Sequence, residues 1–262
     1  MTADKGTVQS VDRALRILRA LAAGTSRLGV TELSERLGLA KGTVHGLLRT
    51  LERQEFVEQD AETGKYRLGP ATLQLGNAFL DNHVLRARSL LWADSLAGQL
   101  NEAVRIGVLN GSSVLIVHHV FRPDNSVQIL EVGASIPWHA CALGKAIVAF
   151  ADQSQRSALL ESTLERLTGR TMTDPAALKR ALDRVVRSGV ATGNQEAIIG
   201  EAEIAAPVFD HRAAPVGAVG VAGPVERLLP GTPDETIVAA VKHVARSLSR
   251  EMGAGRVSAR GG

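Results

Sequence analysis

Only one cysteine, Cys141, occurs in the 262-residue chain. That excludes an intramolecular disulfide framework and a cysteine-rich zinc site, and it fits a reducing compartment. Long apolar runs are lacking too, and the longest fall far short of a membrane span. The start, MTADKGTVQS, has no apolar core of the signal-peptide kind. The chain therefore reads as cytoplasmic. Charge of one sign is not in excess either. Lys+Arg number 30 against 27 Asp+Glu, a net charge of +3, and a division at residue 82 leaves neither part strongly basic. A polyanion partner must be argued from local placement. No internal repeat stands out, and no paired-carboxylate or Ser-His-Asp spacing rises above background.

What is present is a globular composition, 45% apolar with 22% charged residues, on a length comfortable for two domains. Residues 10–23 place Val11, Ala14, Leu15, Leu18, Leu21 and Ala22 on one helical face, with Gly24 as a stop. Thr31 opens a short helix, TELSERLG, that Gly38 ends. Residues 40–52, AKGTVHGLLRTLE, space Val44, Leu47, Leu48 and Leu51 at i, i+3, i+4 and i+7, so those four face a core. Strand-like pieces around Phe56–Val57 and Tyr66–Leu68 flank a turn with Gly64. Pro70 begins a connector helix, PATLQLGNAFLDN, with a loose stripe of Leu73, Leu75, Ala78, Phe79 and Leu80. A long helix over Val84 to Leu100 follows.

The texture then changes. VRIGVL, SVLIVHHV and SVQILEVG are short β-rich runs separated by Asn-Gly and Pro-Asp-Asn turn signals. WHACALGKAIVAFA reads as a helix of small and apolar residues. Asp174-Pro175 caps a further helix that Gly189 ends. EIAAPVFD and PVGAVGVAG are strand candidates. The last helix is expected to start with Thr232 as N-cap, Pro233 as first residue and Glu235 as reciprocal capping partner. The tail from Gly253 reads as disordered. The larger part is mixed α and β.

The series helix, turn, helix, hairpin over residues 31–68 meets the needs of a DNA reader. The second helix needs one face for a core and one for the major groove. Its outward residues are Lys41, Thr43, His45 and Arg49, with Thr31 on the helix before it. Lysine, arginine and threonine contact phosphates or base edges. Lys65 and Arg67 on the hairpin suit the sugar-phosphate backbone. The bland alternative is an amphipathic helix with a solvated basic face. Gly42 and Gly46 weigh against a stable helix, at about 1 kcal/mol each relative to alanine. Close approach of DNA or of a neighbouring helix would account for Gly46.

The stretches SVDRALRIL, GVTELSERLGLAKGTVHGLLRTLE, YRLGP, PWHACALGKAIVA, GEAEIAAPVFD and VGAVGVAGP together resemble the IclR family of bacterial transcriptional regulators. Within that family, VHHVFRPDNSVQILEVG is similar to actinobacterial glycerol-operon regulators. The resemblance implies an α+β fold: a winged helix-turn-helix over residues 1–69, a linker helix over 70–82 and a GAF-like mixed α/β effector domain over 83–252. Residues 253–262 remain as the tail. It also implies dimers or tetramers on palindromic operator DNA, with affinity set by a small metabolite, and no cofactor or catalytic site. Family members often carry serine where Ala40 stands and arginine where Gly46 stands. The helix here thus lacks the usual cap and one phosphate-binding arm.

The resemblance further implies an effector held by backbone N–H groups at Cys141, Ala142 and Leu143. Exposed amides at a helix start favour anions. In relatives that bind small keto-acids the facing wall has an aspartate, a cysteine and two serines. Gly193, Glu203, Gly220 and Ala222 stand there in this chain, which argues against a glyoxylate- or pyruvate-like effector. Glu203 would accept hydrogen bonds from hydroxyls or an ammonium, so a polyol, a polyol phosphate or an amino acid is expected. Glu203 on a solvent-facing strand position is the alternative. Glu196 also matches a family position, with a capping role as the alternative.

Other signals are weaker. His139 and Cys141 suggest a Cys–His nucleophile only if they meet in space, and Cys141 equally reads as a core residue. His118 and His119 point to opposite faces of a strand and cannot share a metal. GAVGVAG lacks the following helix of a phosphate loop. A ligand-responsive DNA-binding regulator is the reading adopted. The alternatives are a sensor acting through protein contacts and an enzyme using Cys141.

Overall fold

A computed structural model of the chain describes residues 6–23, 27–124, 128–129 and 131–255. Gly24 and part of SVQILEVG lie outside them. The chain divides into two compact units, Met1–Leu80 and Asp81–Gly262.

The first unit opens with α1, Gln9–Ala22, then α2, Val30–Leu37, and α3, Lys41–Arg53. A hairpin of β1, Val57–Gln59, and β2, Tyr66–Leu68, follows, with Glu58 opposite Arg67. Helix α4, Pro70–Asp81, comes next. Ile17, Leu33, Val44, Leu48, Val57 and Tyr66 form the core, with Leu47 and Leu51 packed against it. The stripe read from α3 therefore faces inward as expected. That of α1 needs correction. Ile17, Ala20 and Leu21 are buried, whereas Val11 and Leu15 are about half exposed. The helix carries two apolar stripes, and Val11 and Leu15 belong to the outer one. The α4 stripe is likewise outward, with Leu73, Leu75 and Phe79 exposed.

Helix α2 starts one residue before Thr31. Gly29 is its N-cap, and its N–H donates to Glu32 Oε2 at 2.6 Å. Gly38 ends the helix in the left-handed region at φ 66°, where glycine carries no Cβ penalty. Ala40 caps α3 without any side-chain hydrogen bond.

The second unit begins with α5, Val84–Leu100, and the strands β3, Ala103–Asn110, and β4, Ser113–Val120, joined by the expected Asn110-Gly111 turn. Strand β5, Ser135–Pro137, lies beyond SVQILEVG, whose described residues form no strand. The helix expected over 138–151 is shorter than its apolar content suggests. A 3₁₀ turn, Trp138–Ala140, precedes α6, Ala142–Val148. Then come α7, Gln153–Glu161, and α8, Pro175–Ser188, the latter capped by Asp174 and ended by Gly189 as read. Strands β6, Ala191–Asn194, β7, Glu201–Phe209, and β8, Pro215–Pro224, precede α9, Val225–Leu228, and α10, Glu235–Glu251. The N-cap of α10 is Asp234, not Thr232. Its carboxylate accepts from Thr236 N–H at 2.7 Å, a charge-assisted bond that outcompetes the threonine hydroxyl. The tail reading also shifts. Gly253 bridges Asp210 and Ala254 N–H donates to Ser249 O, while residues 256–262 lie outside those described.

The six strands form one antiparallel sheet in the order β5-β4-β3-β8-β7-β6. Side chains alternate between its faces. Gly107, whose missing side chain leaves room for Val114 and Leu143, puts α6 on one face. Gly217, beside Leu85, puts α5 on the other. Trp138, Leu143, Ile147, Leu178, Leu182 and Ala205 belong to the core under α6.

Candidate functional site

Two sites emerge, one in each unit. In the first, Lys41, His45 and Arg49 are exposed along α3, and Thr43 is half-buried. None of the three exposed side chains makes a hydrogen bond or ion pair with a described residue. Thr31 is exposed in the first turn of α2. A Cβ placed on Gly42 or Gly46 would meet nothing within 4 Å. So no neighbouring helix among the described residues accounts for Gly46, and a side chain there would meet open space. On the hairpin, Lys65 pairs with Glu32 at 3.1 Å and Arg67 with Glu58 at 2.8 Å. All four side chains are more than 40% exposed, and pairs of this kind contribute at most about 1 kcal/mol. Exchange of these carboxylates for phosphates therefore costs little.

In the second unit, cross-strand pairing puts Arg105, Gly220 and Ala205 in one row and Ala103, Ala222, Glu203 and Gly193 in the next. The rows share a face of the sheet, beneath the start of α6. Arg105 is buried and sits in a cage of three carboxylates. Its Nη1 donates to Glu201 at 2.8 Å and to Glu203 at 2.7 Å, and its Nη2 to Glu131 at 2.6 Å. Burial opposes its charge, but bonding to Glu201 and the charges of Glu203, Glu201 and Glu131 more than offset this, holding the guanidinium above its ordinary pKa.

Glu203 is buried, which rules out the solvent-facing alternative. Its Oε2 accepts the Ala142 N–H at 2.7 Å. The amide expected to hold an external anion is thus served by an internal carboxylate. Burial pushes the Glu203 carboxyl above the usual range. Arg105 and the Ala142 N–H pull it back, Glu201 pushes it further up, and the net shift is upward. A Cβ on Gly193 would lie 3.2 Å from Glu203 Oε2, and one on Gly220 only 2.8 Å from Ala205 Cβ. Gly193 leaves the space that the Glu203 carboxylate fills, and Gly220 has no room for a side chain. Ala222 lines a cavity of about 430 Å³ that opens beside Arg105, Glu131 and Glu201. A second cavity of about 420 Å³ meets the same three residues from the side of Ser113, Ser135 and Glu165. Ile129, Ile198 and Ile199, all exposed, stand at the two mouths.

Cys141 and Leu143 lie wholly in the core, away from both cavities. Gly144 allows α6 to press on the 3₁₀ turn, since a Cβ there would fall 2.1 Å from Trp138 O. Glu196 lies apart from the Arg105 cage and forms a buried ion pair with Lys145. A role for Cys141 as nucleophile has no geometry behind it. The thiol is fully buried, and burial, aided by the Glu203 charge, pushes its pKa far up. His139 Nε2 lies 2.9 Å from Glu165 O, while Cys141 Sγ accepts the Gly144 N–H and faces the carbonyls of Pro137 and Trp138. His118 and His119 face opposite sides of β4, paired with Ile106 and Arg105 respectively. GAVGVAG runs inside β8 as a strand. Among the described residues no group of three or more His, Cys, Asp or Glu could hold a metal ion.

Arg105, Glu131 and Glu201 were not anticipated. Arg105 left a trace as the one charge inside the run VRIGVL, and Glu201 as the i−2 neighbour of Glu203. Glu131 left none, because only the return of its segment to β4 brings it near.

The IclR helix-turn-helix domain matches residues 10–61, and the bacterial transcriptional regulator IclR C-terminal domain matches residues 77–250. The chain belongs to the IclR family of DNA-binding transcriptional regulators, and is not an enzyme. A glycerol operon regulatory protein of Streptomyces griseus is 52% identical over 250 residues, covering 95% of this chain and 98% of that protein. The crystal structure of an IclR transcriptional regulator from Alicyclobacillus acidocaldarius superposes with a TM-score of 0.81 at 28% identity, over 94% of this chain and all of that one. An IclR homologue from Microbacterium hydrocarbonoxydans, crystallised with 4-hydroxybenzoate, shares the fold with a TM-score of 0.77 at 20% identity, over 93% of this chain and 99% of that one. Among the described residues no helix is long and apolar enough to cross a membrane.

Proposed function

We propose that this regulator controls a glycerol-use operon from the cytoplasm, and that a polyol, a polyol phosphate or an amino acid bound beside Glu203 sets its affinity for the operator. The observation that carries the ligand class is the Arg105 cage. Three carboxylates meet one guanidinium, Glu165 adds a further carboxylate to the wall of the second cavity, and Arg122 on the wall of the first is paired with Asp124, so acceptors are in excess around the cage. The hydroxyls of a polyol or polyol phosphate, or the ammonium of an amino acid, satisfy such acceptors, whereas a small keto-acid brings like charge and no donor to offset it. The likeness to the Streptomyces protein supports the operon.

In this reading Lys41, Thr43, His45 and Arg49 enter the major groove, while Thr31, Lys65 and Arg67 hold the backbone. Val8 at the N-cap of α1 and Val11 and Leu15 on it, with Leu73, Leu75 and Phe79 on α4, supply apolar area for pairing two copies on a palindrome, and pairs double to tetramers. Residues 1–69 form the reader, 70–82 the linker through which the effector acts, and 83–252 the sensor.

Operator selected from random DNA, labelled and titrated with the full-length protein, tests this. Saturating glycerol, glycerol 3-phosphate or an amino acid changes operator affinity by about 5- to 150-fold, the usual range of site coupling. A response to pyruvate or glyoxylate alone would contradict the ligand class.

A further inference from the structure

A third cavity, of about 620 Å³, lies away from the Arg105 cage, between α8, β6 and Pro233 ahead of α10. Its charge is of the opposite sign. Ala181, Arg184, Val185 and Ser188 reach it from one face of α8, at the i, i+3, i+4, i+7 spacing, and Arg187 lines it too. Neither guanidinium makes a hydrogen bond or ion pair with a described residue. Lys145 comes in from α6 and is 3% exposed. Its ammonium has three donors, of which the carboxylate of Glu196 takes one, and no other described residue accepts from it. Thr192 and Asn194 add polar groups to the wall. Three cations against one carboxylate leave this cavity two charges positive.

A buried ammonium held by one carboxylate and two exposed guanidiniums without ion-pair partners line one concave site, and the mutual repulsion of the like charges is concentrated there. An anion relieves it. We propose that this cavity is a second ligand site, selective for the phosphate or carboxylate of a small metabolite. Arg184 and Arg187 grip the anion and Lys145 donates to it from below. It stands independently of the ligand class proposed for the Arg105 cage. The two regions are joined by chain: Glu196 belongs to this cavity, and the next five residues, Ala197–Glu201, line the other two. An anion here therefore acts on the segment that walls the polyol site.

The test uses inorganic phosphate as the probe, with the full-length protein, by isothermal titration calorimetry and phosphorus-31 line broadening. Saturable binding is expected. The double variant Arg184→Ala/Arg187→Ala, both positions exposed and tolerant of truncation, weakens it at least tenfold. Lys145→Met/Glu196→Met removes the buried pair together, leaves no orphan charge and weakens it as well. Glu203→Gln in the other site, and Lys41→Ala/Arg49→Ala on the DNA face, leave it unchanged. Absence of saturable binding, equal affinity in the α8 double variant, or loss confined to the Lys41/Arg49 variant would overturn the proposal. Failure of glycerol to bind, with phosphate still bound, would overturn only the polyol reading.

Discussion

Arg105→Met is the sharpest perturbation of the sensor unit. Methionine keeps much of the aliphatic volume and removes the charge that three carboxylates share. Glu203 is buried, at 8% side-chain exposure, while Glu131 and Glu201 keep 22% and 23%. Breaking a fully buried pair costs about 3–5 kcal/mol. Partial hydration of Glu131 and Glu201 lets their repulsion relax, so a loss of about 3 kcal/mol at pH 7 is expected. For a domain of roughly 150–250 residues that lowers the melting temperature by about 6–12 °C. Both tryptophans, Trp92 and Trp138, lie in the second unit, so their fluorescence in a urea titration reports this unit alone. The sign of the pH dependence follows from linkage. Without the guanidinium, burial raises the Glu203 carboxyl further above its ordinary range, with the Ala142 N–H left to pull it back. The native state then binds more protons than the unfolded chain, and the deficit shrinks as pH falls toward 5. A loss below about 1 kcal/mol, or a deficit equal at pH 5 and pH 7, would refute the cage as the organising feature.

Further expectations concern single positions. Glu203→Gln keeps an acceptor for the Ala142 N–H and removes a carboxyl whose native pKa is raised by burial. The stability that the wild type has at acid pH and loses as pH rises through that pKa stays constant in the variant, as urea midpoints from pH 4 to 7 will show. Gly46→Ala stabilises the first unit by about 1 kcal/mol, because the added methyl meets open space; circular dichroism reads the gain. The same variant loses operator affinity, and unchanged affinity would mean that DNA does not come close at that turn. Ala40→Ser supplies the side-chain cap that α3 lacks and adds about 1 kcal/mol.

Much of the reader was legible in sequence because its signals are local. Four residues of α3 at helical spacing define a core face, and the same geometry exposes Lys41, His45 and Arg49. Gly38 and Gly189 mark helix ends through backbone sterics that depend on a single residue. The outer stripe of α1 was misassigned because periodicity shows that a face is apolar, not which of two faces meets the core. Asp234 displaced Thr232 as a cap because a carboxylate is the stronger acceptor. The sensor was harder. Glu203 was singled out, but its partner two strands away on the same face was not, because Arg105 is 98 positions away. That pairing exists only through the strand order β3-β8-β7, which no local pattern encodes. The internal carboxylate on the Ala142 amide was hidden for the same reason.

The central claim is that the outward face of α3 reads operator DNA. Operator affinity of wild type, Lys41→Ala and Arg49→Ala, measured by fluorescence anisotropy at several salt concentrations, tests it most directly. Each variant should weaken binding, and each lost phosphate contact should lower the slope of log affinity against log salt by about 1, whereas a lost base contact costs about 1–3 kcal/mol and relaxes sequence preference. Wild-type affinity and slope in both variants would contradict the account.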